Sequence, residues 1–169
     1  MVKVDCKITD ILGKTYDKFS PGLLLSSIGS DGERNVMTIG WGSVGIIWRE
    51  PVFVVAVRYS RHTHKLIEET NEFTVNVPCD DMGKAITHCG TVSGRDHDKF
   101  KEMKLTARKG KTVKSPIISE CIAHYECRVI GKTEVVPEKL SKEVLQTCYT
   151  SGDYHTLYFG KILQTSCKE

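Results

Sequence analysis

Runs of apolar residues separated by turn residues predict a protein built mainly of β-strands. The apolar run after Pro21 ends at residues 30–32, a Ser-Asp-Gly turn, which predicts a hairpin whose return strand runs from Arg34 to about Gly40. Residues 52–57 are rich in valine and apolar at every position, which predicts a central strand covered on both faces.

The period of the pattern changes after residue 60. Leu66 and Ile67 fall on one side and charged residues on the others, which predicts a short amphipathic helix with Ser60 as its N-cap. Residues 73–78 alternate again and end at a proline, so this helix should connect two strands. Residues 82–100 are predicted to be helical or irregular, with breaks at the three glycines Gly83, Gly90 and Gly94.

The second half predicts two more strands and a surface helix. Residues 121–130 alternate, which places Cys121, Ala123, Tyr125, Cys127 and Val129 inward and His124, Glu126 and Arg128 outward. Residues 140–146 predict a surface helix and residues 155–163 a final strand. The total is about six strands and two or three short helices. Because helical crossovers are mostly missing between the strands, the pattern favours an antiparallel barrel with peripheral helices over a doubly wound sheet.

Length and charge narrow the class of protein. The 169 residues indicate a single domain over 1–169, and 24 Lys and Arg against 21 Asp and Glu give a net charge of only +3. That surplus does not favour a nucleic-acid binder. The longest apolar run has six residues, the start lacks the pattern of a signal peptide, and the seven cysteines are an odd number without a CxxC pair. We therefore expect a cytoplasmic protein with free thiols that does not span a membrane.

The common nucleotide, zinc-protease and hydrolase motifs are missing from the sequence, including GxxxxGK[ST], GxGxxG, HExxH and GxSxG. The first candidate site is residues 58–63, where a strand leads into a helix N-terminus. Its unpaired N–H groups, with Arg58, Ser60, Arg61 and Thr63, favour a phosphate group. The plainer interpretation is a capped surface helix. His62 and His64 point to different helix faces, so a metal pair is not expected.

Two further segments carry candidate chemistry. Residues 89–100 form a glycine-punctuated loop with Arg95 and Lys99, suited to an anion or an electron-rich ring, or else simply solvated. Cys89 in this segment is interpreted as a buried inert thiol rather than a nucleophile. Residues 35–41 place Trp41 between two glycines, which lets a planar ligand approach unless the tryptophan belongs to the core.

In combination, six segments resemble the flavin reductase-like, or flavoredoxin, family. They are Asn35-Val-Met-Thr with Trp41, Arg61-His-Thr63, the segment from Glu72 to Pro78, the segment from Ser93 to Phe100, Glu126-Cys-Arg-Val129, and Gly152-Asp-Tyr-His with Phe159-Gly160. The resemblance spans about residues 18–165. No single segment would suffice to carry it.

The resemblance implies an FMN-binding split β-barrel of antiparallel, Greek-key type, and a homodimer with FMN near the subunit interface. It implies an oxidoreductase that passes electrons from NAD(P)H or a redox partner protein to a small acceptor or a protein. It places Asn35, Trp41, Thr63 and Lys99 in the flavin site. The full predicted set of cofactor-binding residues is Asn35, Met37, Thr38, Trp41, Arg58, Ser60, Arg61, His62, Thr63, Ser93, Lys99, His124, His155 and Phe159.

Three alternatives stay open at this point. The first is a flavoredoxin-type electron carrier that has no NAD(P)H oxidation of its own. The second is a related split-barrel enzyme that uses FMN on a pyridoxine-like substrate, and the third is a cysteine-based enzyme at Cys89. No residue pattern separates NADH from NADPH or names the electron acceptor.

Overall fold

The computed structural model describes residues 3–168, which form ten strands, five α-helices and two short 3-10 turns. The strands are β1 (Lys3–Asp5), β2 (Leu23–Ile28), β3 (Arg34–Ile39), β4 (Gly42–Ile47), β5 (Glu50–Arg58), β6 (Glu72–Val77), β7 (Ala107–Arg108), β8 (Ile117–Ile118), β9 (Ala123–Glu134) and β10 (His155–Lys168). The helices are α1 (Ile8–Asp17), α2 (His62–Thr70), α3 (Gly83–Thr91), α4 (Lys99–Glu102) and α5 (Lys142–Cys148). The mainly antiparallel fold with peripheral helices is confirmed, although the predicted numbers of strands and helices are too low.

The main sheet has eight antiparallel strands in the order β3-β2-β6-β9-β10-β5-β4, with β1 paired to the far end of β10. Met37 and Ile39 of β3 lie in the same core as Phe53 and Val55 of β5, although these strands are near opposite ends of the sheet order. The sheet therefore curls into a barrel around that core. Strands β7 and β8 form a separate two-stranded sheet.

The two most distinctive sequence patterns give the expected strands. The predicted hairpin is confirmed, since β2 and β3 pair from Leu23 opposite Ile39 to Ile28 opposite Arg34. The valine-rich strand is β5, which lies between β10 and β4, and among residues 52–57 only Val54 is not fully buried. It is second from the edge of the sheet rather than at its centre.

In β9, two side chains are not oriented as predicted. His124 and Glu126, predicted to face outward, are 0% and 2% exposed. The loop before β8 covers this face, and the Glu126 carboxylate accepts the backbone N–H groups of Lys111 at 2.9 Å and Thr112 at 2.6 Å. Cys121 precedes the strand and lies in a second core beneath α3, so it does not share a face with Cys127 of the barrel core.

The helices bring three further corrections. Helix α2 begins at His62 with Arg61 as its N-cap, and the Ser60 hydroxyl instead donates to the Asp153 carboxylate at 2.6 Å. Gly83 begins α3 and Gly90 lies within it, so neither glycine interrupts the helix. Helix α1, which lies before β2, is not predicted from the sequence at all. Within residues 3–168, no helix combines the length and apolar character that a bilayer crossing requires.

Candidate functional site

A groove lies where β3, β5, α2 and the loop after α3 meet. It consists of two adjoining cavities of about 140 and 130 Å³, and Met37 and Arg61 line both of them. Twelve of the fourteen predicted residues line this groove: Asn35, Met37, Thr38, Trp41, Arg58, Ser60, Arg61, His62, Thr63, Ser93, Lys99 and His155. The structure thus brings together residues that are more than a hundred positions apart in the chain.

One side of the groove, here called the barrel wall, consists of groove residues on β3, β5, β10 and α2. Asn35 on β3 and Thr63 on α2 are both buried, and the Asn35 Nδ2 donates to the Thr63 Oγ1 at 2.8 Å. Further along β3, the Thr38 hydroxyl donates to the Ile86 carbonyl of α3 at 2.6 Å. Neighbouring residues of the same strands lie in the barrel core, so this wall is an extension of the packed interior.

The facing side, here called the loop wall, consists of residues 92–95 and Lys99. The Lys99 ammonium is buried and donates to the Cys89 carbonyl at 3.4 Å and the Val92 carbonyl at 3.3 Å. Arg95 joins the loop wall to the opposite side of the groove by donating to the Ser60 carbonyl at 2.9 Å. Arg61 donates to the Gly90 carbonyl at 3.2 Å, in the last turn of α3 just before the loop wall. Cationic side chains that donate to backbone carbonyls therefore hold this wall in place.

Aromatic rings surround the outer end of the groove. The rings of Trp41 and His155 lie 4.8 Å apart, and the Arg58 guanidinium lies 5.8 Å from the Trp41 ring and 5.3 Å from the Tyr149 ring. The Tyr149 hydroxyl bonds the His155 Nδ1 at 2.8 Å. Trp41 remains 44% exposed, so a flat ligand has access to an indole face at this end. Tyr149 is absent from the predicted set, and no sequence motif marks it.

The groove carries positive charge that no carboxylate neutralises directly. Arg58, Arg61, Arg95 and Lys99 all border it, and among the described residues none of them forms an ion pair. Burial lowers the pKa of Lys99 to about 8, and Arg61 acts in the same direction. Unpaired cations that are partly removed from water are stabilised by an anionic ligand.

Two histidines line the groove, and its burial and positive charge affect the pKa of His155. Burial, with the nearby Arg58 and Arg61, lowers the pKa of His155 to about 4, although Asp153 opposes the shift. The Nδ1 of His62 is buried and has no hydrogen-bond partner among the described residues, while its Nε2 lies 2.7 Å from Glu33. His155 can therefore face a ligand as a neutral polar group rather than as an extra cation. His62 offers a ligand its unpartnered ring nitrogen.

Two predicted site residues lie outside the groove. His124 is completely buried on β9 beside β6, with its Nδ1 at 2.8 Å from the Asn76 Oδ1. Phe159 packs against Trp48, with ring centroids 5.3 Å apart, on a different part of β10. Conversely, Val92, Gly94 and Arg95 line the groove but are not in the predicted set. The Ser-Gly-Arg stretch of the sequence is the signal for the last two.

Cys89 is not suited to nucleophilic catalysis. It is 1% exposed, and burial raises the pKa of its thiol to about 11, against the opposing effect of Lys99. A thiol that stays protonated and inaccessible does not act as a nucleophile.

Comparison with protein families gives a match over nearly the whole chain. The sequence profile described as "Flavin reductase like domain" matches residues 18–169. An uncharacterized protein of Archaeoglobus fulgidus is 37% identical over 132 residues, which are 78% of this chain and 64% of that protein. An uncharacterized protein of Pyrococcus abyssi is 35% identical over 144 residues, which are 83% of this chain and 70% of that protein. The chain thus spans about two thirds of the length of these relatives.

Solved structures share the fold. Flavoredoxin from Methanosarcina acetivorans superposes with a TM-score of 0.70 at 28% identity, over 88% of this chain and 68% of that one. Flavoredoxin of Desulfovibrio vulgaris gives a TM-score of 0.72 at 23% identity, over 88% and 69%. A Shewanella frigidimarina protein described as a putative flavin reductase with a split barrel domain gives 0.69 at 15% identity, over 88% and 67%. The barrel is therefore of the split-barrel type.

Proposed function

The chain belongs to the flavin reductase-like family, and on that premise we propose that its groove binds FMN and that the protein is a flavoprotein oxidoreductase. The observation that carries the proposal is the groove's set of four cationic side chains without carboxylate partners, next to exposed aromatic surface. FMN combines a doubly charged phosphate with a flat aromatic ring system. The cationic part of the groove thus suits the phosphate, and the aromatic part suits the ring.

The phosphate is expected near the start of α2. Ser60, Arg61 and Thr63 border the inner cavity there, and Arg95 reaches the same place from the loop wall. The first N–H groups of a helix and its dipole favour an anion. The partnerless Nδ1 of buried His62 is a further polar atom that a ligand in this cavity would satisfy.

The ring is expected beside Met37, Trp41 and His155, which line the outer cavity. FMN supplies the hydride and electron transfer chemistry, and the protein supplies binding, orientation and electrostatics. Lys99 and Arg61 place positive charge on the groove, which favours a ligand that gains electrons. Asn35 and Thr63 orient each other by their hydrogen bond and so fix the polar edge of the site.

A second copy of the chain is part of this proposal. The two cavities, about 140 and 130 Å³, are small beside the roughly 300–1,000 Å³ of ordinary ligand pockets. An apolar depression of about 1220 Å³ between α1 and β4 adjoins Trp41, and Ile46 and Trp48 are 72% and 63% exposed. Exposed apolar surface of this kind supports a homodimer that completes the flavin site.

Two versions of the function differ in the electron donor. The family supports an NAD(P)H-dependent reductase that serves a small acceptor or a protein. The 28% identity to a flavoredoxin favours, as second candidate, an electron carrier that receives electrons from a redox partner protein. The seven cysteines, which form no disulfide with one another, support a reducing, cytoplasmic location for either version.

The first experiment is a titration of the purified protein with FMN, followed by absorbance and fluorescence. Replacing Thr63→Ala together with Lys99→Ala should weaken FMN binding about 100-fold, since two hydrogen bonds to a charged ligand contribute about 3 kcal/mol. The matched control is Thr133→Ala with Lys139→Ala, two exposed positions away from the groove. Equal affinity of both double variants would refute the placement of the site.

Anaerobic addition of NADH and then NADPH to the FMN complex separates the two versions. Bleaching of the flavin bands supports the reductase and identifies the donor. A bound flavin that stays oxidised, but is reduced by a ferredoxin-like donor, supports the carrier. If no FMN binds, both versions are wrong.

A further inference from the structure

Three side chains with metal-ligating atoms converge on the surface outside the groove. His88 lies in the last turn of α3, His97 in the following loop, and Glu102 at the end of α4. The His88 Nε2 is 2.7 Å from one Glu102 oxygen, and the His97 Nδ1 is 3.1 and 3.2 Å from the two oxygens. One carboxylate is therefore shared by two imidazoles that come from different elements.

The spacing of these atoms suits a divalent transition-metal ion. One ligand atom from each residue can be chosen so that all three lie within 4.8 Å of one another. Tetrahedral bonds of about 2.0–2.2 Å to zinc place ligand atoms roughly 3.4 Å apart, so only small side-chain movements are needed. Two imidazole nitrogens and one carboxylate oxygen are a common ligand set for zinc, with water in the fourth position.

An ion has direct access to the cluster. The side chains of His88, Glu102 and His97 are 27%, 37% and 42% exposed. The two imidazole rings lie at 89° to each other with centroids 6.0 Å apart, so they do not stack against each other and block the approach. Among the described residues, no lysine or arginine forms an ion pair with Glu102, so its carboxylate is not neutralised by a permanent cation.

The position of the cluster in the chain connects it to the groove. The segment between His88 and His97 contains residues 92–95 of the loop wall, and Lys99 of the same wall lies between His97 and Glu102. An ion that binds all three residues would tie the end of α3 to the end of this segment and to the end of α4. Such a link reduces the freedom of a loop by closing it at its base.

We propose that His88, His97 and Glu102 bind one zinc-like divalent ion, and that this ion restricts the movement of the loop wall by closing the loop at its base. The site goes beyond the proposed flavin function and does not require it, because its ligands lie outside the groove. The plainer arrangement is a hydrogen-bonded His-Glu-His group that binds no metal. A binding measurement distinguishes the two directly.

The test uses the tag-free full chain, stripped with a chelator and kept free of flavin, and titrated with zinc chloride in a calorimeter. We expect one equivalent of zinc to bind. Separate His88→Ala, His97→Ala and Glu102→Gln variants should each lose at least 10–100-fold in affinity, since even the loss of a group that merely orients a ligand costs about that much. Glu138→Gln, at an exposed position in a 3-10 turn, is the matched control and should bind like the unmodified protein.

Two additional readouts test the ligand set and the effect on the loop separately. Cobalt in place of zinc should give no thiolate charge-transfer band, because no cysteine belongs to the cluster. Zinc should slow amide hydrogen exchange in residues 89–96 of the unmodified protein and not in the three variants. No zinc binding, unchanged binding in all three variants, or a thiolate band would overturn the site. Zinc binding without slower exchange would overturn its effect on the loop wall.

Discussion

The barrel wall of the groove consists mainly of strands that also form the packed core, whereas the loop wall is held by cationic side chains that donate to backbone carbonyls. Asn35 and Met37 stand on a strand whose pairing with β2 is continuous, and the neighbouring Ile39 is part of the barrel core. On the other side, Lys99 holds residues 89 and 92, and Arg61 holds residue 90. The two walls of one site thus differ in what stabilises them.

Because they are stabilised differently, the two walls should differ in how easily they move. A wall that shares its strands with the core can move only if the core moves, because packed interiors transmit strain. A wall held by a few hydrogen bonds can change position at the cost of those bonds, about 1.5–3 kcal/mol each for charged donors. We therefore expect the barrel wall to set the shape of the site and the loop wall to adjust to its occupant.

The largest loss of stability is expected from one methyl group added inside the barrel. In the barrel, Gly160→Ala would place a Cβ 2.7 Å from the Phe73 Cε1 and 2.9 Å from the Cys127 Cβ. Overpacking of this kind costs about 1–3 kcal/mol, and the upper end applies here because both neighbours are completely buried. Urea unfolding should show the loss. Gly83→Ala, with nothing within 4 Å of the added Cβ, is the control and should not be destabilised.

A second prediction tests the barrel wall through pH. The pKa of His155 is about 4 in the folded protein, against an ordinary value of 6.5. Between pH 6.5 and 4 the imidazole is therefore protonated in the unfolded chain and neutral in the folded protein, which favours unfolding. The contribution of His155 to stability should be fully present above pH 6.5 and fall by about 2 kcal/mol towards pH 4, after allowance for partial solvent screening. The groups facing this imidazole are Arg58, Arg61, Tyr149 and Asp153.

The measurement compares urea unfolding of the unmodified protein and of His155→Gln at pH 7, 5.5 and 4.5. Glutamine retains a hydrogen-bonding group for Tyr149 but takes up no proton. The difference in stability between the two proteins should therefore change with pH across this range. A constant difference would show that His155 titrates normally in the folded protein.

The smallest expected change in stability comes from the place where the two walls touch. Gly94→Ala would put a Cβ 2.6 Å from the Asn35 Cγ, which is held on the barrel side by Thr63. Since the loop wall is the adjustable partner, the loop should move and stability should change by less than about 1 kcal/mol. FMN affinity should nevertheless fall about tenfold, equivalent to about 1.4 kcal/mol, because the displaced loop wall carries Arg95 and Lys99. A loss of stability as large as that of Gly160→Ala would mean that the loop wall is as rigid as the barrel.

The sequence predicts the elements in which local pattern and tertiary environment agree. The β2–β3 hairpin has a turn sequence between two apolar runs, and β5 is apolar because both of its faces are covered. Alternation fails for His124 and Glu126, because a loop distant in the chain covers the face that would otherwise meet water. Helix α1 is missed because only Ile11 and Thr15 of its ten residues are buried.

The same distinction applies to the site. Residues 35–41 and 58–63 are candidates from the sequence because each lies at a change of element next to a glycine or a helix start, and the family resemblance assigns both to one site. The convergence of these segments with residues 92–99 is a tertiary fact that no local pattern contains. His155 and Phe159 share a strand, but the barrel's curvature takes one to the groove and the other to Trp48.

Strand β10 also determines the order in which the protein can be completed during synthesis. It pairs with β9 along one edge, and with β5 and then β1 along the other. Until residues 155–168 have left the ribosome, β5 and β9 each present an open edge, and open edges are the surfaces through which nascent chains associate wrongly. The groove also lacks His155 until then. A nascent chain without β10 therefore has two open sheet edges that can pair with other chains, and its groove is unfinished.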